Sequence, residues 1–207
     1  MLEVSQSSRE YAITTPAFQL IFEHVGDRWQ HRVLFSDGQS PQPVLISAEG
    51  TPAQTQPASP AFQDLRLEQV GEEQQEFQLM GQSGKQIYSA AIRVDGRRNL
   101  VDFDICTRFQ KMDSAAEAFS TYRIEPGIAA DFLEENGATT LRVSRAAMGL
   151  LIAAQSISGQ PPSRIERISD GNPVTFRIVG QKQPVGPGSR PSQTLRWRYQ
   201  ISGVPSA

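Results

Sequence analysis

The chain has 207 residues, and 20 Lys and Arg against 22 Asp and Glu leave a formal charge of −2. That balance excludes a protein that grips nucleic acid or an anionic membrane through its overall field, and no apolar run approaches the ~20 residues of a membrane helix. The single cysteine, Cys106, excludes an internal disulfide and any cysteine-cluster metal or iron–sulfur site.

The N-terminus, MLEVSQSSREYAITTP, lacks the basic segment and following apolar segment of a secretory signal. With the lone cysteine, this sets a cytoplasmic expectation. Alternation or β-branched and aromatic enrichment then marks strands over Tyr11–Thr15, Phe18–Val25, Arg28–Phe35, Val44–Ala48, Phe62–Val70, Glu76–Met80, Ile87–Val94, Leu100–Phe109 and Ala118–Ile124. Further strands are predicted over Thr139–Val143, Ile165–Ile168, Val174–Val179 and Leu195–Ile201. Turn signals separate them at Gly26-Asp27, Asp37-Gly38, Asp95-Gly96, Asn136-Gly137 and Asp170-Gly171-Asn172.

Two segments prefer helix. Ile128–Glu135 follows Pro126-Gly127, groups Ile128, Phe132 and Leu133, and stops at Asn136-Gly137. Arg145–Ser156 has Ser144 as an N-cap and the apolar run AAMGLLIAA, which suits a buried helix or, over Met148–Ile157, a buried strand. Residues 51–61 and 181–193, rich in Pro and small polar residues, read as flexible loops. The expected fold is mainly β: an antiparallel two-sheet β-sandwich of about a dozen strands, or a flattened barrel, with one or two short helices. It is expected to form a single domain over residues 1–207.

The hairpin FQLIFEHV-GD-RWQHRVLF is the most informative unit. Gly26 in the first central position suits a type II′ turn, which pairs Val25 with Arg28, His24 with Trp29, Phe22 with His31 and Phe18 with Phe35. One face then collects Phe18, Leu20, Phe22, His24, Trp29, His31, Val33 and Phe35, while Glu23 and Arg32 are neighbours on the other. The only two histidines thus sit diagonally beside Trp29, with backbones roughly 7–8 Å apart. Histidines so placed commonly cover the end of a core. The sharper expectation is a ligand site of His24, Trp29 and His31, with Trp29 as a platform and the imidazoles as hydrogen-bonding or proton-carrying groups. A metal site is not expected, because two histidines lack a third ligand in the sequence.

In the second hairpin, Tyr88, Ala90, Ile92 and Val94 share a face with Val101, Phe103, Ile105 and Phe109. Asp102, Asp104, Cys106 and Arg108 take the other face. Paired aspartates suit glycosidase chemistry as well as an ordinary solvated face. Cys106, mid-strand, reads as a packing residue rather than a nucleophile. In TLRWRYQI, Leu195, Trp197, Tyr199 and Ile201 point inward, and Arg196 and Arg198 outward. Gly81–Gln86 only partly imitates a phosphate loop and reads as a turn.

These patterns point to a non-catalytic binding or interaction module, with a carbohydrate or protein as its ligand. His24, Trp29, His31, Asp102 and Asp104 are the candidate ligand-binding residues. The alternative is a sugar-active enzyme of the isomerase, epimerase or hydrolase type, using His24 or His31 with Asp102 or Asp104 as acid and base. No cofactor, nucleic acid or membrane partner is expected. The two readings separate on geometry, since an enzyme needs an imidazole and a carboxylate in one cleft.

Overall fold

Period-two alternation of apolar and polar residues favours a strand with one buried face, and the chain folds accordingly. A computed structural model of the protein describes residues 2–36, 42–50, 57–109, 117–135, 138–158, 163–169, 171–180 and 194–205. The first sheet runs in the order β1 (Glu3–Gln6), β2 (Glu10–Thr14), β3 (Phe18–Val25), β4 (Arg28–Phe35), β5 (Gln42–Ser47), β10 (Phe119–Ile124), β15 (Val174–Val179) and β14 (Arg164–Ser169). The second runs β11 (Ala129–Glu135), β12 (Ala138–Arg145), β13 (Met148–Gln155), β16 (Thr194–Pro205), β9 (Leu100–Phe109), β8 (Gln86–Asp95), β7 (Gln74–Ser83) and β6 (Asp64–Gly71). Each sheet has eight strands, all paired antiparallel, and neither closes into a barrel. The architecture is a β-sandwich. No helix among the described residues is long and apolar enough to cross a membrane.

Both expected helices are strands. Ile128–Glu135 becomes β11, an edge strand whose partly buried Ala130 and Phe132 pack on the core while Ala129, Asp131, Leu133 and Glu135 face out. Within Arg145–Ser156, Arg145 ends β12 and Met148–Gln155 forms β13, the strand alternative for this run, with Leu150 and Ile152 inward and the outer face made of small or half-buried side chains. An all-apolar run carries no period of its own, so pairing with β12 and β16 decides its conformation. The turns at Asp37-Gly38 and Asn136-Gly137, Asp170, and the loop residues 51–56 and 181–193 lie outside the described residues.

The register of the first hairpin is the one its turn implies: Val25 opposite Arg28, His24 opposite Trp29, Phe22 opposite His31 and Phe18 opposite Phe35. Gly26 has φ +65°, as the first central position of a II′ turn requires. The second hairpin closes through the four residues 96–99, because Asp95 pairs with Leu100. Its odd-numbered β9 face, including Phe103 and Ile105, is buried, as are Leu195, Trp197, Tyr199 and Ile201 on β16. Aromatic rings interlock between the sheets: Phe22 meets Phe77 with centroids 4.5 Å apart, and Phe103 stacks on Tyr199 at 4.6 Å.

Residues 57–63 strap the two sheets together. Thr121 N–H donates to Ser59 Oγ at 2.9 Å, Trp29 N–H to Phe62 C=O at 2.7 Å, and Gln63 N–H to Met80 C=O at 2.9 Å. The strap lies so close to β7 that a Cβ on Gly81 would fall 1.8 Å from the Ala61 carbonyl oxygen and 2.7 Å from Phe62 Cα. Only glycine fits beneath it. Gly81→Ala should therefore destabilise the protein by about 1–3 kcal/mol, the usual cost of overpacking, measured by denaturant unfolding; a neutral change would show that the strap is not tightly seated.

Candidate functional site

β4 delivers His31 into the space between the sheets, where its ring packs on Phe22 and Phe103 at centroid distances of 5.5 and 5.4 Å. Its Nε2 lies 2.6 Å from Tyr122 Oη, and that hydroxyl lies 2.6 Å from Tyr199 Oη. Tyr122 is on β10 and Tyr199 on β16, so the chain of hydrogen bonds crosses from one sheet to the other. A neutral imidazole accepting from Tyr122 at Nε2 carries its proton on Nδ1, and Nδ1 is 4.0 Å from Glu49 Oε1. Ser47 Oγ accepts from His31 N–H at 2.8 Å and hydrogen-bonds the Glu49 carboxyl.

Burial governs the charge of every member of this chain. It lowers the His31 pKa to about 3 and raises that of Glu49 to about 8, an upward push that the Ser47 hydrogen bond and the Arg28 charge oppose only in part. It also holds the phenols of Tyr122 and Tyr199 well above their ordinary value. The His31–Glu49 contact is accordingly one between neutral groups at neutral pH. Arg28, itself buried, donates to Glu49 C=O at 3.0 Å and forms a two-point ion pair with Asp27, at 2.8 and 3.2 Å.

The other two members of the hairpin cluster stay at the rim. Half-buried His24 meets the Trp29 ring edge-on at 5.1 Å, and Tyr11 meets it at 5.6 Å. Trp29 is 8 % exposed, so its indole serves packing and offers no open face to a ligand.

Asp102 and Asp104 point away from this interior, on the outer face of the second sheet. Arg198 holds Asp102 and Arg196 holds Asp104, each through two guanidinium nitrogens, with Arg198 Nε 3.1 Å and Arg196 Nε 2.6 Å from carboxylate oxygens. Phe103, between the two aspartates in sequence, faces His31 on the inner side. The β9 backbone therefore separates His31 from both carboxylates, and the structure does not bring the imidazole and the aspartates into one cleft. Cys106 follows on the same outer face, half-buried, with burial raising its thiol pKa.

Asp102 does line a cleft. At the end of the second sheet where β7 meets the β8–β9 turn, a depression of about 350 Å³ is bounded by Gln74, Glu76, Arg93, Asp95, Arg98, Asp102, Arg198 and Gln200. Leu100, Val94 and Val70 supply its apolar surface. Arg93 is ion-paired with Glu76, and Gln74 Nε2 donates to Asp95 Oδ2 at 3.1 Å. The cleft thus presents amides, guanidinium groups and carboxylates, of which Gln74, Asp95, Arg93, Glu76, Arg198 and Asp102 are held by one another. Among the described residues, no three His, Cys, Asp or Glu side chains converge to hold a metal.

Sequence reasoning missed Glu49, Tyr122 and Gln200. Glu49 follows a strand whose expected end was Ala48, and Tyr122 is one aromatic among several; neither has a local signature. The ion pair of Asp102 with Arg198, diagonal across the β9–β16 register that sets Asp102 opposite Gln200, was legible only as two alternating strands, not as neighbours.

No family model matches the sequence, and no curated protein matches it. By structure, the chain is similar to part of a mutant of the heparan sulfate lyase HepC from Pedobacter heparinus, with a TM-score of 0.62 and 5% sequence identity. The similarity covers 100% of this chain and 37% of that one, so this chain spans a little over a third of its structural neighbour. At that identity the likeness is one of fold.

Two outcomes follow from the buried groups. Glu49 binds its proton more tightly when folded, so its contribution falls as pH rises from its ordinary 4.5 toward 8. His31 binds more weakly when folded, so its contribution falls as pH drops from 6.5 toward 3. The two oppose each other between 4.5 and 6.5. Above 6.5 Glu49 acts alone, and stability should decline by up to about 1.4 kcal/mol per pH unit. Unfolding free energies measured from pH 6.5 to 8 should show this slope in the wild type and lose it in Glu49→Gln; equal slopes would place the Glu49 carboxyl in water. Trp29→Ala should cost about 3–5 kcal/mol, as for a buried aromatic, and a loss below 1 kcal/mol in a denaturant melt would show Trp29 to be a surface residue.

Proposed function

We propose that this sandwich is a non-catalytic binding module, that its ligand is a carbohydrate, and that the ligand occupies the cleft around Asp102 on the outer face of the second sheet. The observation that carries the reading is the lining of that cleft: planar amides, guanidinium groups and carboxylates around an apolar patch, with Gln74–Asp95, Arg93–Glu76 and Arg198–Asp102 held as pairs. Sugar hydroxyls donate and accept at once, so a wall that offers both roles in fixed positions suits them, and preorganisation lowers the entropy lost on binding. The likeness to part of a heparan sulfate lyase is a likeness to a carbohydrate-active protein and supports the same ligand class.

Of the five residues singled out from the sequence, Asp102 is the one that lines this cleft, with Asp104 two residues further along the same face. His24, Trp29 and His31 belong to the hairpin core and rim. The enzymatic reading, with a histidine and an aspartate as acid and base, loses support from the same geometry, because β9 stands between them.

Calorimetric titration with a panel of purified oligosaccharides tests the reading. At least one should bind, without being turned over, and Asp102→Asn combined with Gln200→Ala should weaken it about tenfold or more, the effect of losing a hydrogen bond to a charged group and one to an amide. A folded protein that binds none of them, or a ligand indifferent to both substitutions, would overturn it.

A further inference from the structure

Of the charged side chains that line the cleft, one stands without a partner. Glu76 holds Arg93, and Asp102 holds Arg198. Both oxygens of the Asp95 carboxylate are engaged, Oδ2 by Gln74 Nε2 and Oδ1 by the backbone N–H of Arg98, each at 3.1 Å. The Arg98 guanidinium lines the same cleft and is exposed, and among the described residues it makes no hydrogen bond or ion pair. The β8–β9 turn beneath it is tied down on either side of Arg98. Gly96 N–H donates to Glu73 C=O and Gly203 N–H to Asn99 C=O, both at 2.9 Å, beside the bond from Arg98 N–H to Asp95.

Resting on the carbohydrate reading, we propose that the cleft takes an acidic glycan, and that Arg98 selects it by pairing with a carboxylate or sulfate group of the ligand. A guanidinium group offers parallel N–H donors to either anion, and such charge-assisted pairs are stronger than bonds to neutral hydroxyls. Arg93 and Arg198 do not serve this purpose. An anion reaching them has to part a guanidinium from a carboxylate that stays beside it, and the displaced charge then repels the ligand. Their pairs instead meet sugar hydroxyls, which donate to carboxylate lone pairs and accept from guanidinium N–H groups. Arg98 requires no such exchange. The Asp95 carboxylate beside it is occupied in holding Gln74 and the turn, so the guanidinium remains open to a ligand anion. A cation carried on a turn that is already tied down also limits the freedom lost when the ligand docks. The cleft thus divides its work: the paired wall recognises hydroxyls, and Arg98 recognises charge.

The test is calorimetric titration at about 50 mM NaCl, where screening is weak. Two acidic series are used, galacturonate oligosaccharides for carboxylate and carrageenan oligosaccharides for sulfate. Each is run beside its neutral counterpart, made by methyl esterification or by desulfation, and beside a panel of neutral glycans. The wild type should bind at least one acidic series about tenfold or more tighter than its neutral counterpart, and the series that does so identifies the anion. Arg98→Gln should abolish that preference while changing the affinity for the neutral counterpart less than about twofold, and Arg98→Lys should retain part of it. Arg123→Gln, which removes an exposed arginine from β10 of the other sheet with the same change of net charge, should keep the preference whole. Circular dichroism of each variant confirms that it is folded. Neutral glycans bound as tightly as acidic ones, a preference that survives Arg98→Gln, or equal losses in the Arg98→Gln and Arg123→Gln variants would each overturn the proposed selectivity and leave the carbohydrate reading standing. Binding of no glycan, acidic or neutral, would overturn the carbohydrate reading, and the selectivity with it.

Discussion

Two hydroxyls, on Tyr122 and Tyr199, meet at 2.6 Å in the middle of the sandwich, and much of the interior is arranged around that meeting. Apolar side chains can slide over one another at little cost, but a phenol buried without a partner is expensive. The pair therefore fixes where β10 of one sheet stands against β16 of the other. Trp197 Nε1–H repeats the device one step along β16, donating to Ser120 Oγ at 3.0 Å across the same gap. His31 and Glu49 extend the line toward the strap. The interior is thus specified by a row of polar groups, hydrogen-bonded across the two sheets at Tyr122, Tyr199, Trp197 and Ser120, running through an aromatic core, and the pH behaviour of the protein depends on the same row.

The fold was legible in the sequence where a local rule acted alone. A two-residue loop beginning with Gly26 leaves one register for the β3–β4 hairpin, and that register is the one present. Alternation likewise placed Phe103 inside and Asp102 outside. The rules failed where two of them competed. In AADFLEE the residues are good helix formers, and their apolar positions fit one turn of helix as readily as one face of a strand. The following Asn136-Gly137 serves as a helix stop and equally as a hairpin signal. Pairing of Glu135 with Ala138 resolves the choice in favour of the hairpin. β1 was missed for a simpler reason: all its residues are exposed, so it carries no burial pattern to read.

The candidate site was legible only in pieces. Placing His24, Trp29 and His31 on one face needed nothing beyond the turn. Finding that His31 ends against Tyr122, 91 residues away, needed the order of strands in both sheets. The outer cleft is less accessible still to sequence reading, because its walls come from β7, β8, β9 and β16 together. Its residue types are those of any solvated sheet face. What distinguishes them is their convergence at the sheet's end, a property of the assembled surface.

Among the described residues, the two eight-stranded sheets end at four borders with no further strand paired to them, β1, β14, β11 and β6. Each is a row of backbone donors and acceptors to which another extended chain could add, the route by which β-proteins polymerise. All four borders here are studded with ionic side chains: Glu3 on β1; Arg164, Glu166 and Arg167 on β14; Asp131, Glu134 and Glu135 on β11; Asp64, Arg66 and Glu68 on β6. Stacking a second copy edge to edge would force those charges out of water or against their own kind. β1 and β11, the two borders that burial and periodicity did not reveal as strands, carry such charge as β6 and β14 do, so all four edges disfavour growth by strand addition.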